Sequence, residues 1–129
     1  MTDPHPFAET GLTPELMHAA TACGMATPTP IQRAAIPPIL QGLDLRGCAP
    51  TGSGKTAAYA LPMLQQLLGG TGQTPRRPRA LVLVPTRELA DQVGETFRSL
   101  SQHLPLRLKV AVVFGGVSAN PQMLALRGG

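Results

Sequence analysis

Cysteine is scarce in this sequence, and the little there is does not pair. Cys23 and Cys48 stand apart, with neither a CxxC nor any metal-ligand spacing, so they read as buried, reduced thiols rather than as ligands. His5, His18 and His103 are scattered in the same way and read as structural or solvated. No apolar run approaches the length of a membrane span. The opening "MTDPHPFAET" puts Asp and Pro where a secretory signal would carry basic and then apolar residues, which points to a cytoplasmic protein with no membrane partner. Acidic residues are few as well: Asp3, Glu9, Glu15, Asp44, Glu88, Asp91 and Glu95. None of them ends an apolar strand as a Walker B carboxylate does. Asp44 comes nearest, yet it begins its apolar segment. There is no internal repeat.

What is present is compact and patterned. With 129 residues, 43% of them hydrophobic, and a mean hydropathy of +0.06, the chain amounts to about one domain or part of one. A net charge of +4 and a pI near 9.8 permit a nucleic-acid partner without establishing it. Much of the positive excess sits in "PRRPR", residues 75–79, inside a Gly- and Pro-rich stretch that reads as a solvated surface loop.

The elements alternate. Thr13 and Pro14 open a helix with Leu16, Ala19, Ala20 and Cys23 at helical spacing, and Gly24 closes it. A second helix is expected from Pro30 to about Gln41, disturbed by Pro37-Pro38 and stopped by Gly42. "LDLRGCA" is a short strand candidate, and a third helix follows from about Lys55 to Leu68, with Pro62 as a kink. "ALVLV", residues 80–84, has the continuous apolar character of a strand buried on both faces of a parallel sheet. Thr86 caps a fourth helix that carries Leu89, Val93, Phe97 and Leu100. "LKVAVVF" is another buried strand, ending at Gly115-Gly116, and Asn120-Pro121 begin a last helix. Strand and helix in alternation predict an α/β fold built on a parallel sheet.

The chemistry centres on "APTGSGKT", residues 49–56. A strand-to-helix loop containing Gly52 and Gly54 can turn its backbone N–H groups inward as an anion nest. Lys55 would reach the β- and γ-phosphates, and the Thr56 hydroxyl would ligate Mg²⁺. This is the pattern of a nucleoside triphosphate site. Gln32, in "MATPTPIQ", raises a further question, because a core-facing amide needs a partner. Taken alone it reads as a cap on helix backbone. Held on a rigid Pro-flanked turn beside a P-loop, it reads as an adenine selector, since one amide offers a donor and an acceptor to the N6/N7 edge.

These motifs, in this order, resemble the DEAD-box RNA helicases of helicase superfamily two. The Q motif of that family is similar to "GMATPTPIQ", with an isolated aromatic, Phe7, seventeen positions before Gly24. The family form AxTGxGKT accounts for Ala49 at the head of the P-loop, followed by Pro50, Thr51, Gly52, Ser53, Gly54, Lys55 and Thr56. Motif Ia, PTREL, matches Pro85, Thr86, Arg87, Glu88 and Leu89, and the GG doublet matches Gly115 and Gly116. The resemblance covers nearly all of the chain, and within the family the short N-terminus looks most like that of bacterial members such as the RhlE-like group.

That resemblance implies a RecA-like P-loop NTPase fold, a parallel sheet flanked by helices, present in part. Residues 1–42 would form the Q-motif helices and 43–129 a partial RecA-like ATP-binding domain. It implies ATP and Mg²⁺ as cofactors, Gln32 on adenine, and Phe7 buttressing that region. It also implies RNA as partner, held by its backbone without base readout at Pro85, Thr86, Arg87, Gly115 and Gly116. Two departures stand out. Met25 occupies the place of an aromatic that stacks on adenine, and Met can still lie against a ring. The chain also ends before the Asp-Glu-Ala-Asp motif and the second RecA-like domain, so the expectation is an ATP-dependent helicase cut within its first domain. Alone, this part would bind nucleotide without acting as a catalyst.

Overall fold

The computed structural model describes residues 3–70, 77–106 and 108–128. After a 3-10 turn at Ala8–Thr10 come five helices: α1 (Pro14–Ala22), α2 (Pro30–Leu40), α3 (Lys55–Leu68), α4 (Arg87–Ser101) and α5 (Ala119–Leu126). Each of α1 and α2 has an extended Thr at its N-cap and Pro in its first turn, a pairing that suits the unpartnered N–H groups there. Past α1, Gly24 takes φ +87°, which lets the Met25 N–H return to Ala20 O at 3.0 Å and closes the helix.

Helix α2 runs through Pro37 and Pro38 to Leu40. The two missing N–H groups would have served the carbonyls of Arg33 and Ala34, which lie on exposed residues, where solvent can take their place. Meanwhile Ile36 is fully buried, so the apolar face holds the helix in place. Helix α5 starts one residue before Asn120, because Ser118 Oγ accepts the Asn120 N–H at 3.4 Å.

The core lies among α1, α2, α3 and α4 and includes Phe7, Leu16, Ile36, Leu61, Leu64 and Leu100. Gln65 ties the N-terminal segment to α3: its Oε1 accepts the Thr13 N–H at 2.8 Å and its Nε2 donates to Gly11 O at 3.2 Å.

Among the described residues no strand ladder forms. The three segments expected as strands, 43–49, 80–84 and 108–114, run outside the helices without pairing. Side chains still alternate along 80–84: Val82 and Val84 pack on the core, while Leu81 and Leu83 are 78% and 84% exposed. That period of two is what an extended chain with one covered face produces. Burial on both faces is therefore corrected to burial on one, against α3 and α4. Segments 80–84 and 108–114 instead line a shared groove of about 560 Å³. Cys48 is likewise exposed and not buried, because it belongs to an unpaired segment. Cys23 is half-buried, and that burial pushes its thiol up from 9.0. Of the Arg-rich loop, residues 71–76 lie outside the described residues, while Arg77 and Arg79 are exposed as expected. Arg79 Nη1 donates to Leu67 O at 2.8 Å.

Helix α4 lies very close to segment 108–114, since a Cβ built on Gly94 would collide with Val112 Cγ2. Valine is stiff about χ1, so Gly94→Ala should lose about 1–3 kcal/mol through overpacking, more than the ~1 kcal/mol of helix propensity it gains. In urea unfolding, Gly94→Ala alone should destabilise and Gly94→Ala combined with Val112→Ala should regain the difference. Equal effects in both backgrounds would show that the approach is not tight.

Candidate functional site

Two clusters of candidate residues form, each joining motifs that are distant in sequence. The first surrounds the loop before α3. Gly52 and Gly54 adopt φ +79° and +83°, the left-handed region that side chains resist. The Ser53 N–H closes the turn on Pro50 O at 3.2 Å. No protein group among the described residues accepts from the N–H groups of Gly52, Gly54, Lys55 or Thr56. These donors cluster at the N-terminus of α3, where the helix dipole adds partial positive charge. Ser53 Oγ is buried and has no partner among the described residues. Lys55 does not extend freely into solvent: its Nζ folds back to donate to Ala49 O at 2.6 Å. Thr56 is half-buried in the first turn of α3, while Pro50 and Thr51 are exposed.

Gln32 is only 2% exposed, and its partners are backbone groups. Its Oε1 accepts the Thr29 N–H at 3.0 Å, and its Nε2 donates to Gly54 O at 3.2 Å. Thr29 and Gln32 stand in the capping-box arrangement, although the contact returned by Thr29 Oγ1 is too loose to count as a bond and that hydroxyl is buried without a partner among the described residues. Gly54 O also accepts the Ala58 N–H at 3.1 Å, so both its lone pairs are used. The carbonyl that starts α3 is thus pinned to the start of α2. A Cβ at Gly54 would lie 2.5 Å from Gln32 Nε2, which makes glycine obligatory there for a second reason. An amide has two lone pairs and two N–H groups, and the backbone takes one of each. Half the capacity of Gln32 remains.

Phe7 is fully buried in the core, so it supports the helices from within. Met25 is half-buried and packs against the same core.

The second cluster joins "PTR" to the GG doublet. Thr86 Oγ1 caps α4 by accepting the Leu89 N–H at 3.2 Å, which leaves its own proton free to donate. Arg87 Nη2 donates to Gly115 O at 3.0 Å, and Arg87 Cζ lies 4.6 Å above the Phe114 ring. Gly116 has φ +79°, and a Cβ there would come within 3.1 Å of Arg87 Nη2. Pro85 is exposed. Sequence reasoning missed Phe114, which read as the end of a strand, and Gln122, whose Oε1 accepts the Phe114 N–H at 2.7 Å.

Comparison with known proteins bears directly on this arrangement. The fold is similar to that of the RNA helicase Prp28 from Chaetomium thermophilum bound to ADP, with a TM-score of 0.82 and 41% identity over 100% of this chain and 31% of that one. It is also similar to a DEAD box protein from Methanococcus jannaschii, with a TM-score of 0.79 and 34% identity over 95% of this chain and 32% of that one. In sequence, the ATP-dependent rRNA helicase rrp3 of Botryotinia fuckeliana is 48% identical over 123 residues, 95% of this chain and 24% of the relative. The ATP-dependent RNA helicase SrmB of Escherichia coli K12 is 49% identical over 112 residues, 87% of this chain and 25% of that protein. Residues 29–128 match the DEAD/DEAH box helicase family model. The chain belongs to the DEAD/DEAH box helicase family, and it spans about a quarter of the length of these curated relatives.

Removing the Gln32 amide strands a part-buried Thr29 N–H and one acceptor site on Gly54 O. Gln32→Ala should therefore cost about 1–3 kcal/mol of stability. Gln32→Glu should lose a similar amount, because a carboxylate would face the Gly54 carbonyl. The urea midpoint reports both, and an unchanged midpoint in Gln32→Ala would contradict the bridge.

Proposed function

We propose that this chain is the ATP-binding part of an ATP-dependent RNA helicase, with nucleotide held at residues 49–56 and RNA at the Thr86–Arg87 and Gly115–Gly116 cluster. The observation that carries the proposal is the convergence at the start of α3: left-handed Gly52 and Gly54, unaccepted N–H donors, and Lys55 folded over the same loop. Together they suit a polyphosphate. On binding, Lys55 exchanges the Ala49 carbonyl for phosphate oxygens, a charge-assisted bond in place of a neutral one. Thr56, at the mouth of the loop, would hold Mg²⁺ by its hydroxyl, and the ion would neutralise charge on the phosphates. The spare lone pair and N–H of Gln32 match the N6 donor and N7 acceptor of adenine. In this reading Gln32 caps backbone and selects adenine with the same amide. Met25 gives an apolar contact nearby.

In the second cluster, the Thr86 hydroxyl, the free guanidinium donors of Arg87 and the dipole of α4 favour a phosphate. Contacts of this type position a strand and carry no base information, so binding independent of sequence follows. A parallel sheet would be completed by strands pairing with 43–49, 80–84 and 108–114. Among the described residues no group of three or more His, Cys, Asp or Glu could hold a metal ion. In this reading water activation and the remainder of the Mg²⁺ shell are supplied by the Asp-Glu-Ala-Asp motif of a longer polypeptide, as the family resemblance implies. Residues 1–129 alone bind nucleotide and do not turn it over.

Lys55→Ala in that longer polypeptide should weaken ATP about 10- to 100-fold, the loss of a charged hydrogen bond of about 1.5–3 kcal/mol, and abolish RNA-stimulated turnover. Circular dichroism should be unchanged, because Lys55 is exposed and its bond to Ala49 O is replaceable by water. Undiminished ATP affinity would move the site elsewhere, and loss of fold would make Lys55 a structural residue.

A further inference from the structure

The GG turn is braced from both sides by groups outside the doublet. On one side Arg87 bonds Gly115 O at 3.0 Å and stacks its guanidinium on Phe114 at 4.6 Å. On the other, Gln122 of α5 accepts the Phe114 N–H at 2.7 Å and returns its Nε2 to Ser118 O at 3.3 Å. A single amide thus spans the turn from 114 to 118. The Phe114 ring and its backbone N–H belong to the two halves of one frame. The ring orients the guanidinium, and the N–H fixes the ring's own residue to α5.

We propose that Phe114 and Gln122 are positioning residues for nucleic-acid binding: they lock the GG turn against the Thr86–Arg87 end of α4, so that both present donors to one anionic strand. The inference rests on the RNA-binding reading above. A guanidinium has five N–H donors in one plane. The Phe114 ring covers its face, and Gly115 O takes one donor at the edge. The remaining edge donors are held in a fixed direction beside the Thr86 hydroxyl. Without the ring the guanidinium is held only by its bond to Gly115 O and can turn about it, and without Gln122 the turn carrying Phe114 and Gly115 loses its tie to α5. Neither residue brings a charge, so neither contributes an ion pair to phosphate. Each acts only through where Arg87 and the turn sit.

The test measures binding of fluorescein-labelled oligo(U) by anisotropy over a range of salt concentrations, in the full-length protein that carries these residues. The variants are Phe114→Leu, Phe114→Tyr, Gln122→Ala, and Phe114→Leu combined with Gln122→Ala. Phe114→Leu and Gln122→Ala should each weaken binding about fivefold. The double variant should be no weaker than about the worse single one, since both disable the same frame. The slope of log affinity against log salt should fall by roughly one phosphate in Phe114→Leu, although no charge has been removed. Phe114→Tyr, which keeps the ring, should restore both affinity and slope. ATP affinity should stay at the wild-type value, and the melting temperature should fall by no more than a few degrees, since Gln122→Ala strands the part-buried Phe114 N–H. Wild-type protein that fails to bind oligo(U) would overturn the RNA-binding reading and this inference with it. Binding by the wild type with Phe114→Leu and Gln122→Ala undiminished would overturn the inference alone. So would losses that are additive, or that arrive with an equal fall in ATP affinity and melting temperature.

Discussion

The amide of Gln32 is the contact on which the arrangement around the loop at 49–56 depends. It joins Thr29 N–H to Gly54 O and so registers the start of α2 against the start of α3, across 22 residues of sequence. That register requires the rest of the N-terminal region. Pro30 and the Thr29 cap fix where α2 begins. Ile36 on α2 and Leu61 on α3 share the core that sets the distance between the helices. Phe7, fully buried, fills the same core from the N-terminal segment. Gly54 then has to be glycine twice over, for its backbone angle and for the space the amide occupies. A buried polar group of this kind is costly when unpaired and specific when satisfied, and here it fixes the loop geometry before any ligand is present.

Helices α1 to α4 were legible in the sequence because their signals are local. Thr caps, Pro in the first turn and Gly stops all act within a few residues, and boundaries read from them fall within a residue or so of those observed. The strands were not legible in the same way. A strand needs a partner about 4.8 Å away, and segments 43–49, 80–84 and 108–114 have none among the described residues. Their apolar content revealed a covered face for Val82 and Val84, but not that Leu81 and Leu83 would stand open. Burial of Cys48 was misread for the same reason.

The candidate sites show the complementary limit. The residue types at 49–56, 85–87 and 115–116 were read as phosphate-binding, since glycine, lysine, threonine and arginine in those patterns suit an anion. Their mutual contacts were hidden, because Gln32 to Gly54 and Arg87 to Gly115 are tertiary. A side-chain amide aimed at a backbone carbonyl leaves no trace in sequence pattern, so Gln32 could be read as a cap or as a base selector but not as both. Gln122 gave no signal at all, since an isolated glutamine on a short helix resembles any solvated residue. Membership of the DEAD/DEAH box helicase family agrees with the motif order, while the geometry adds how the motifs hold one another.

In the proposed function one amide, that of Gln32, both secures the loop and selects the base. This double role is tested most directly by titrating ATP and GTP against the wild-type protein and Gln32→Ala, in the polypeptide extended through the whole helicase core. Adenine offers a donor beside an acceptor where guanine offers acceptors at both places, a difference worth about 1–3 kcal/mol for a good bidentate pair. The account predicts that wild type prefers ATP by about tenfold or more, and that Gln32→Ala loses this preference along with part of its affinity for both nucleotides. An ATP preference that survives intact in Gln32→Ala would show that Gln32 serves the backbone alone.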